Sequence, residues 1–153
     1  MASKKISLQG DIFKSYMAKL DEVGGTAAMK RGTESALKAS KAFVTPQIEK
    51  AMSTGNLPAG GKYSTGASKS SIDREMKVDW KGLNASIDVG FDFAKSGMTS
   101  IYLMYGTKGT PRHKPTKAVK GLKDAIYGRK TQKKIVEIQG EALTKVIKRI
   151  MEG

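Results

Sequence analysis

Two runs of alternating apolar and polar residues, separated by a short turn, constrain the fold of this chain more than any other feature. Apolar residues occupy every second position from Met76 to Trp80, and charged residues occupy the positions between them. The segment from Ala85 to Phe91 alternates in the same way after the turn Gly82-Leu83-Asn84. Period-two alternation is typical of a strand with one buried face. We therefore expect an antiparallel hairpin with strands over about 75–81 and 85–91.

Helical spacing dominates the N-terminal half. Apolar residues recur every three or four positions over residues 7–23, which predicts an amphipathic helix that ends at Gly24-Gly25. A second pattern runs from about Thr26 to Met52, and Pro46 predicts a kink or break in it near Val44. The face expected to be buried carries Ala36, Ser40, Val44, Ile48 and Met52, whereas Lys30, Lys38, Lys41 and Lys50 are expected to lie elsewhere.

Residues 53–71 consist almost entirely of loop formers. The segment STGNLPAGGKYSTGASKSS is rich in Gly, Ser and Thr, which predicts a long, flexible surface loop. Long loops of this kind are usually functional, or stay disordered until a partner docks on them.

The C-terminal half predicts one further strand and two helices. The β-branched and aromatic content of the apolar run near 99–105 favours a strand, with one short helical turn as the alternative. Pro115 suits the first position of a helix, in which Val119, Leu122 and Ile126 would form an apolar arc. The last segment predicts a second helix, whose apolar stripe is Ile135, Ile138, Ala142, Val146 and Ile150. The order of elements predicts a single α+β domain.

The supply of large apolar residues is small for a chain of this length. Leu, Ile, Val and Phe together make up 30 of the 153 residues, which is close to the composition at which highly charged chains become disordered. We therefore expect the protein to gain stability by burying surface against copies of itself or against a partner.

Positive charge is concentrated in one segment. The chain has 28 basic and 14 acidic residues, and residues 108–134 hold ten basic residues against the single acid Asp124. This concentration favours an anionic partner, although lysines on the polar side of a helix are often only solvated. The candidate basic surface consists of Arg112, Lys114, Lys117, Lys120, Lys123, Arg129, Lys130, Lys133 and Lys134.

The sequence offers little that could perform catalysis. His113 is the only histidine and lies between two basic residues, which disfavour its protonated form, so a solvated loop histidine is the more ordinary interpretation than a general base. With no cysteine, a metal site would depend on carboxylates, of which Asp88 and Asp92 are the best placed. Neither the stretch from Gly55 to Gly61 nor Gly106-Thr107-Lys108-Gly109 has the spacing of a phosphate-binding loop. We expect no enzyme activity, no cofactor and no metal.

Targeting signals are also not evident. The basic start of the chain is not followed by an apolar run of signal-peptide length, and no segment has the 18 or more apolar residues of a membrane span. The absence of cysteine is consistent with a reducing compartment. We expect a protein made in a cytoplasm, with no membrane partner.

The order of several short motifs is more informative than any one of them. After a helical N-terminal half come Thr65-Gly66, Ser71-Ile72, a hairpin that ends at Val89-Gly90, an aromatic segment that closes on Tyr105-Gly106-Thr107, and a segment led by Pro115. In this order the chain resembles the small neck and tail-completion proteins of long-tailed bacteriophages, and the match covers most of its length.

This resemblance implies a structural virion protein, assembled in the host cytoplasm, that joins head and tail. It implies a homo-oligomeric ring, for instance a hexamer, through which genomic DNA passes, with connector, tail-terminator or tail-tube proteins as partners. The hairpin and the 99–105 segment would pair edge to edge between subunits. The loop 53–71 would engage a neighbouring ring, and the basic segment would face DNA or an acidic neck protein. The alternative is a free-standing, sequence-nonspecific nucleic-acid-binding protein that uses residues 108–134.

Overall fold

A computed structural model describes residues 25–62 and 64–152, so the helix predicted over residues 7–23 lies outside the described part. The architecture is α+β, as predicted. The helices are α1 (Gly25–Ala51), α2 (Ala67–Ser70), α3 (Phe93–Tyr105), α4 (Leu122–Tyr127) and α5 (Arg129–Glu152). Strands β1 (Asp79–Lys81) and β2 (Asn84–Ser86) form a two-stranded antiparallel sheet between α2 and α3 in the chain.

Helix α1 supplies the largest part of the core. The predicted buried face is confirmed, since the five residues from Ala36 to Met52 that recur every four positions are all at most 5% exposed. Of the kink or break predicted near Val44, the break is wrong, because α1 is continuous through Pro46. The carbonyl that loses its donor belongs to Ala42, and both Ala42 and Pro46 are exposed. Water can therefore replace the missing hydrogen bond.

The hairpin is present but shorter than predicted. Trp80 pairs with Ala85, and the turn consists of Gly82 and Leu83, with Gly82 at a φ of 63°. Regular pairing ends at Asp79, and an isolated bridge then joins Ile72 to Phe91. Residues 73–78 oppose residues 87–90 between these points, so one side has two residues more than the other. This mismatch interrupts the ladder.

The segment near 99–105 is helical, so the prediction of a strand there is wrong. Helix α3 covers thirteen residues, and the Asp92 side chain caps its start by accepting a 2.9 Å hydrogen bond from the amide of Ala94. Gly106 ends it at a φ of 75°. A cap of this kind at each end outweighs the β propensity of Ile101 and Tyr102. Edge pairing between subunits through this segment is therefore excluded.

Pro115 does not open a helix, which corrects a second prediction. The amide of Thr116 donates to the carbonyl of Thr107, and the amide of Val119 donates a 2.7 Å bond to the carbonyl of Leu103. These bonds hold the backbone outside the helical conformation until Gly121, after which α4 begins. The residues predicted to be buried are nevertheless placed correctly, since Val119 and Leu122 are buried and Ile126 is half-buried.

The segment 53–71 contains short helical elements, and its flexibility stays a prediction. It contains two short 3-10 segments, Thr54–Asn56 and Pro58–Gly61, and then α2. Most of its described side chains are exposed, but Ser71 is buried.

A single apolar cluster joins the elements. Val44 and Ile48 of α1 pack with Ile72, Leu122 and other buried residues, and Ile135 of α5 packs against this cluster. The predicted stripe of α5, from Ile135 to Ile150, is half-buried along its length. Helix α5 runs beside α1, where a Cβ on Gly32 would lie 3.4 Å from the side chains of Leu143 and Val146. The core is thus small and depends on helices from both ends of the described chain.

Candidate functional site

The predicted basic surface divides into two groups of exposed side chains. The first group lies on the connection from α3 to α4 and on α4 itself, and comprises Arg112, Lys114, Lys117, Lys120 and Lys123. Lys108, which was not among the predicted residues, is exposed on the same connection. The second group occupies the first turns of α5 and comprises Arg129, Lys130, Lys133 and Lys134. In the second group the hydrogen bond to Glu137 raises the pKa of Lys134 above its ordinary value.

Three lysines of the first group line a broad groove of about 1010 Å³. Lys114, Lys117 and Lys120 line it, as does Lys69 of α2. The turns of residues 54–59 and hydroxyl side chains such as that of Thr65 also line it. We call this the basic groove. It combines positive charge with hydrogen-bond donors, which is the chemistry that an anionic ligand or an acidic protein segment requires.

The second basic group opposes the dipole of its own helix. Helix α5 has no acidic residue in its first turn, and Arg129 and Lys130 open it instead. Cations near a helix N-terminus are electrostatically unfavourable, because the amide groups there carry partial positive charge. A bound anion would relieve this repulsion. The charges of this turn therefore do not stabilise α5.

The motif residues Thr65, Gly66, Ser71 and Ile72 flank α2, two before it and two after it. Gly66 precedes α2 at a φ of 76°, and Thr65 Oγ1 accepts a long hydrogen bond, 3.4 Å, from the amide of Ala67. The carbonyl of the buried Ser71 accepts a 2.7 Å bond from the amide of Asp92. Ile72 belongs to the core. These positions therefore tie α2 to the start of α3.

The motif residues Tyr105, Gly106 and Thr107 shape the exit from α3. A Cβ at Gly106 would lie 2.6 Å from the carbonyl oxygen of Thr116, so only glycine fits there. Thr107 pairs with Thr116 through two backbone hydrogen bonds, and its Oγ1 also accepts from the Thr116 amide. Pro115 is exposed beside this pair.

Lys41 contributes to the packing of the fold, and the prediction that it lies away from the buried face of α1 is wrong. Its side chain is completely buried, and Nζ donates to Asp73 Oδ2 at 2.7 Å and to the carbonyl oxygen of Glu75 at 2.6 Å. Partial burial acts to raise the pKa of Asp73, but hydrogen bonds from Lys41 and from the Glu75 amide outweigh it and hold this pKa below its ordinary value. Its spacing from Val44 and Ile48, three and seven positions, is the signal that could have identified it.

Lys41 replaces one backbone hydrogen bond that the interrupted hairpin lacks. Residues 73–78 have no regular ladder, and Lys41 supplies a donor to one carbonyl in that segment. The Lys41 ammonium is completely buried and would be costly without partners, so this contact stabilises both the lysine and the irregular strand. At the other end of the hairpin, Trp80 Nε1 donates to Glu34 of α1, and Lys30 Nζ lies 5.6 Å from the centre of the Trp80 ring.

Helix α3 exposes an apolar face. Phe93, Met98, Tyr102 and Tyr105 are all at least half exposed, and Ile101 is 37% exposed. Met98, Ile101, Tyr102 and Tyr105 have the three- and four-residue spacing of one helical face. Exposed apolar residues grouped in this way mark interaction surfaces in soluble domains. This face was not predicted, because the apolar run near 99–105 suggested a buried strand.

The expected absence of an enzyme site remains a prediction. His113 is exposed in the turn of residues 110–113, where its backbone pairs with Thr110. Asp92 caps α3, and Asp88 is exposed. Within residues 25–62 and 64–152, no three side chains of His, Cys, Asp or Glu are grouped so that they could hold a metal ion. The helices of this same part are all too short or too polar to cross a membrane.

Comparisons of the chain with models of protein families, with curated proteins and with solved structures found no match in any of the three. The geometry of the described residues and the order of the sequence motifs therefore carry the functional interpretation.

Proposed function

We propose that this protein is a structural component of a tailed bacteriophage particle, where it completes the tail or joins it to the head. In this role several copies form a ring at the neck, and genomic DNA passes through the ring. The basic residues face that DNA or an acidic protein of the neck. The virion is then its final location, after assembly in the host cytoplasm.

The observation that carries the oligomeric part of this proposal is the exposed apolar face of α3. Tyr102 is 50% and Tyr105 is 58% exposed, although the chain has few large apolar residues to bury. Tyrosines at the centre of an interface contribute strongly to binding. Burial of this face against a neighbouring copy would enlarge a core that is small in a single chain.

The basic groove supports contact with a second, anionic partner. Its walls come from the turns of residues 54–59, the start of α2 and the lysines that follow Thr107. These are the same segments that carry the family-like motifs. A tail or connector protein that presents acidic side chains would find charge and exposed hydroxyls together there.

The alternative function is nonspecific binding of nucleic acid by a free-standing protein. The observation that favours it is the pair of basic groups on one continuous stretch, residues 108–134. Neutralisation of several phosphates by such a stretch gives affinity that falls steeply with salt. A subunit of a neck ring, by contrast, would bind duplex DNA weakly as a monomer.

Two measurements on the full chain distinguish these functions. Light scattering coupled to size exclusion gives the mass as a function of concentration, and fluorescence anisotropy with arbitrary duplex DNA gives the affinity at several salt concentrations. The neck role predicts a closed oligomer, formed alone or with tail or connector proteins. Tight, salt-sensitive DNA binding by a monomer, abolished in a K117E/K120E/K123E variant, would favour the alternative.

A further inference from the structure

A second groove, of about 650 Å³, lies on the side of the molecule formed by the irregular strands, α3 and the end of α4. Its apolar lining includes Phe93, Ile101 and Tyr105 of α3 and Tyr127 of α4. Phe93 is 67% exposed, and Tyr105 and Tyr127 are each 58% exposed, so the aromatic surface is open. We call this the acidic groove, because four carboxylates line it.

Four carboxylates line this groove, namely Asp73, Glu75, Asp88 and Asp92, and none of its described lining residues is Lys or Arg. This is unusual in a chain with twice as many basic as acidic residues. Asp73 already binds Lys41, and Asp92 caps α3 and lies 3.5 Å from Lys95. Within the described residues, Glu75 and Asp88 have no ion-pair partner.

Acidic side chains beside open aromatic rings form a site for a cation, and for arginine in particular. A guanidinium group can donate hydrogen bonds to two carboxylates and stack on an aromatic ring at the same time. Lys123 already shows this preference at the rim, since its Nζ lies 5.2 Å from the centre of the Tyr105 ring. Phe93 and Tyr127, which are 67% and 58% exposed, offer further aromatic surface to a basic segment from outside.

The chain itself presents a segment of the required chemistry. Residues 107–116 form a small loop in which Thr107 pairs with Thr116 and Thr110 pairs with His113. It carries Lys108, Arg112 and Lys114 and no acidic residue, and Arg112 lies in its turn. The side chains from Lys108 to Pro115 are all exposed. We call this segment the basic loop.

The basic loop does not fill the acidic groove of its own chain, because none of residues 107–116 lines that groove. Docking of one on the other must therefore occur between copies. The loop and the groove are different surfaces, so the contact is heterologous, and a heterologous contact produces a ring when its rotation closes.

We propose that the basic loop of one copy docks in the acidic groove of the next copy, with Arg112 against Asp88 and the exposed aromatic rings. This inference rests on the proposed function, since it names the contact that would build the ring. It also explains why α3 exposes its apolar face beside acidic residues. Like-charged copies can associate in this way because each contact joins opposite charges.

Charge exchange between two variants tests the contact. Arg112→Glu reverses the charge at the turn of the basic loop, and Asp88→Arg reverses the charge of one carboxylate in the acidic groove. Both side chains are exposed, and circular dichroism with thermal unfolding checks that each variant folds. We expect each variant alone to need at least about tenfold more protein for half-maximal assembly by sedimentation velocity, because like charges then face each other. A one-to-one mixture restores assembly, since a contact between the two different variants again joins opposite charges.

Lys145→Glu is the matched control, because Lys145 is exposed on α5 and lines neither groove. Its assembly should equal that of the unchanged chain. The docking is wrong if both reversed variants assemble normally, or if the mixture stays as defective as its components. It is also wrong if Arg112→Glu leaves self-assembly intact and instead abolishes binding to DNA or to an acidic neck protein.

The failure of this contact and the failure of the proposed function give different results. Normal rings from both variants overturn the docking and leave the neck role intact. A chain that is monomeric alone overturns the docking as well, and the composition of phage particles then decides the neck role separately.

Discussion

Lys41 Nζ donates a 2.7 Å hydrogen bond to Asp73 Oδ2 and thereby joins the middle of α1 to the irregular strand that begins the hairpin. The lysine side chain is completely buried, whereas 28% of the aspartate side chain is exposed. The same nitrogen also binds the Glu75 carbonyl. This contact fixes the edge of the acidic groove, since both Asp73 and Glu75 line it.

Removal of the buried ammonium should destabilise the fold. Lys41→Met keeps most of the side-chain volume but leaves the Asp73 carboxylate and the Glu75 carbonyl without this donor. We expect a loss of roughly 1–3 kcal/mol in the free energy of unfolding, measured by urea denaturation. Lys38→Met is the control, because 45% of the Lys38 side chain is exposed and its contact with Glu34 is 3.9 Å long. Equal effects from the two variants would contradict the assigned role.

The same contact should make stability depend on acid pH. The pKa of Asp73 is lower in the folded chain than its reference value of 3.8, so the contact stabilises the fold fully above that pH. The contribution is lost as the pH falls below 3.8 through the lower folded pKa. Asp73→Asn should therefore remove part of the pH dependence below about pH 3.8. A pH profile parallel to that of the unchanged chain would show that Asp73 does not contribute.

Gly106 should tolerate no side chain. Gly106→Ala places a Cβ 2.6 Å from the Thr116 carbonyl oxygen and forces alanine to a φ of 75°. We expect a loss of roughly 2–4 kcal/mol in the free energy of unfolding. Gly140→Ala in α5 is the matched control, because its Cβ would meet no described atom within 4 Å. That change should stabilise the chain by about 0.5–1 kcal/mol through helix propensity. Similar losses in both variants would contradict the close approach at Gly106.

The basic start of α5 should oppose stability and favour partner binding. Lys130→Glu places an anion near the positive end of the helix dipole, which should stabilise the chain by about 0.3–1 kcal/mol at low salt. The same variant should bind its anionic partner more weakly. Arg149→Glu, at the opposite end of α5, should instead destabilise the chain. Urea denaturation gives the first effect, and pull-down with tail proteins or DNA gives the second. A Lys130→Glu variant that loses stability would contradict the electrostatic argument.

Local periodicity predicted the parts of the fold that are decided by local burial. The four-residue spacing from Ala36 to Met52 identified the buried face of α1, and alternation identified the hairpin around Trp80 and Ala85. The helix at α3 was missed because its caps, Asp92 and Gly106, lie outside the apolar run that suggested a strand. The capping residues at the two ends favoured a helix, although the side chains between them have β propensity.

Features that depend on distant contacts could not be predicted from the sequence. Residues 116–119 are held by hydrogen bonds to the end of α3, and no local pattern reveals that Thr107 and Val119 are the bonded positions. The same is true of the acidic groove, whose carboxylates come from separate segments. The candidate basic residues were identified correctly as exposed, but only the fold shows which of them share a groove.

The composition of purified particles tests the proposed virion role most directly. Under the proposal a tailed bacteriophage encodes this chain, and its particles would be purified by density gradient and analysed by quantitative mass spectrometry. The account predicts peptides of this chain at a constant low copy number per particle, far below that of the major capsid protein. If the chain is abundant in the lysate of infected cells but absent from the particles, the proposed virion role is wrong.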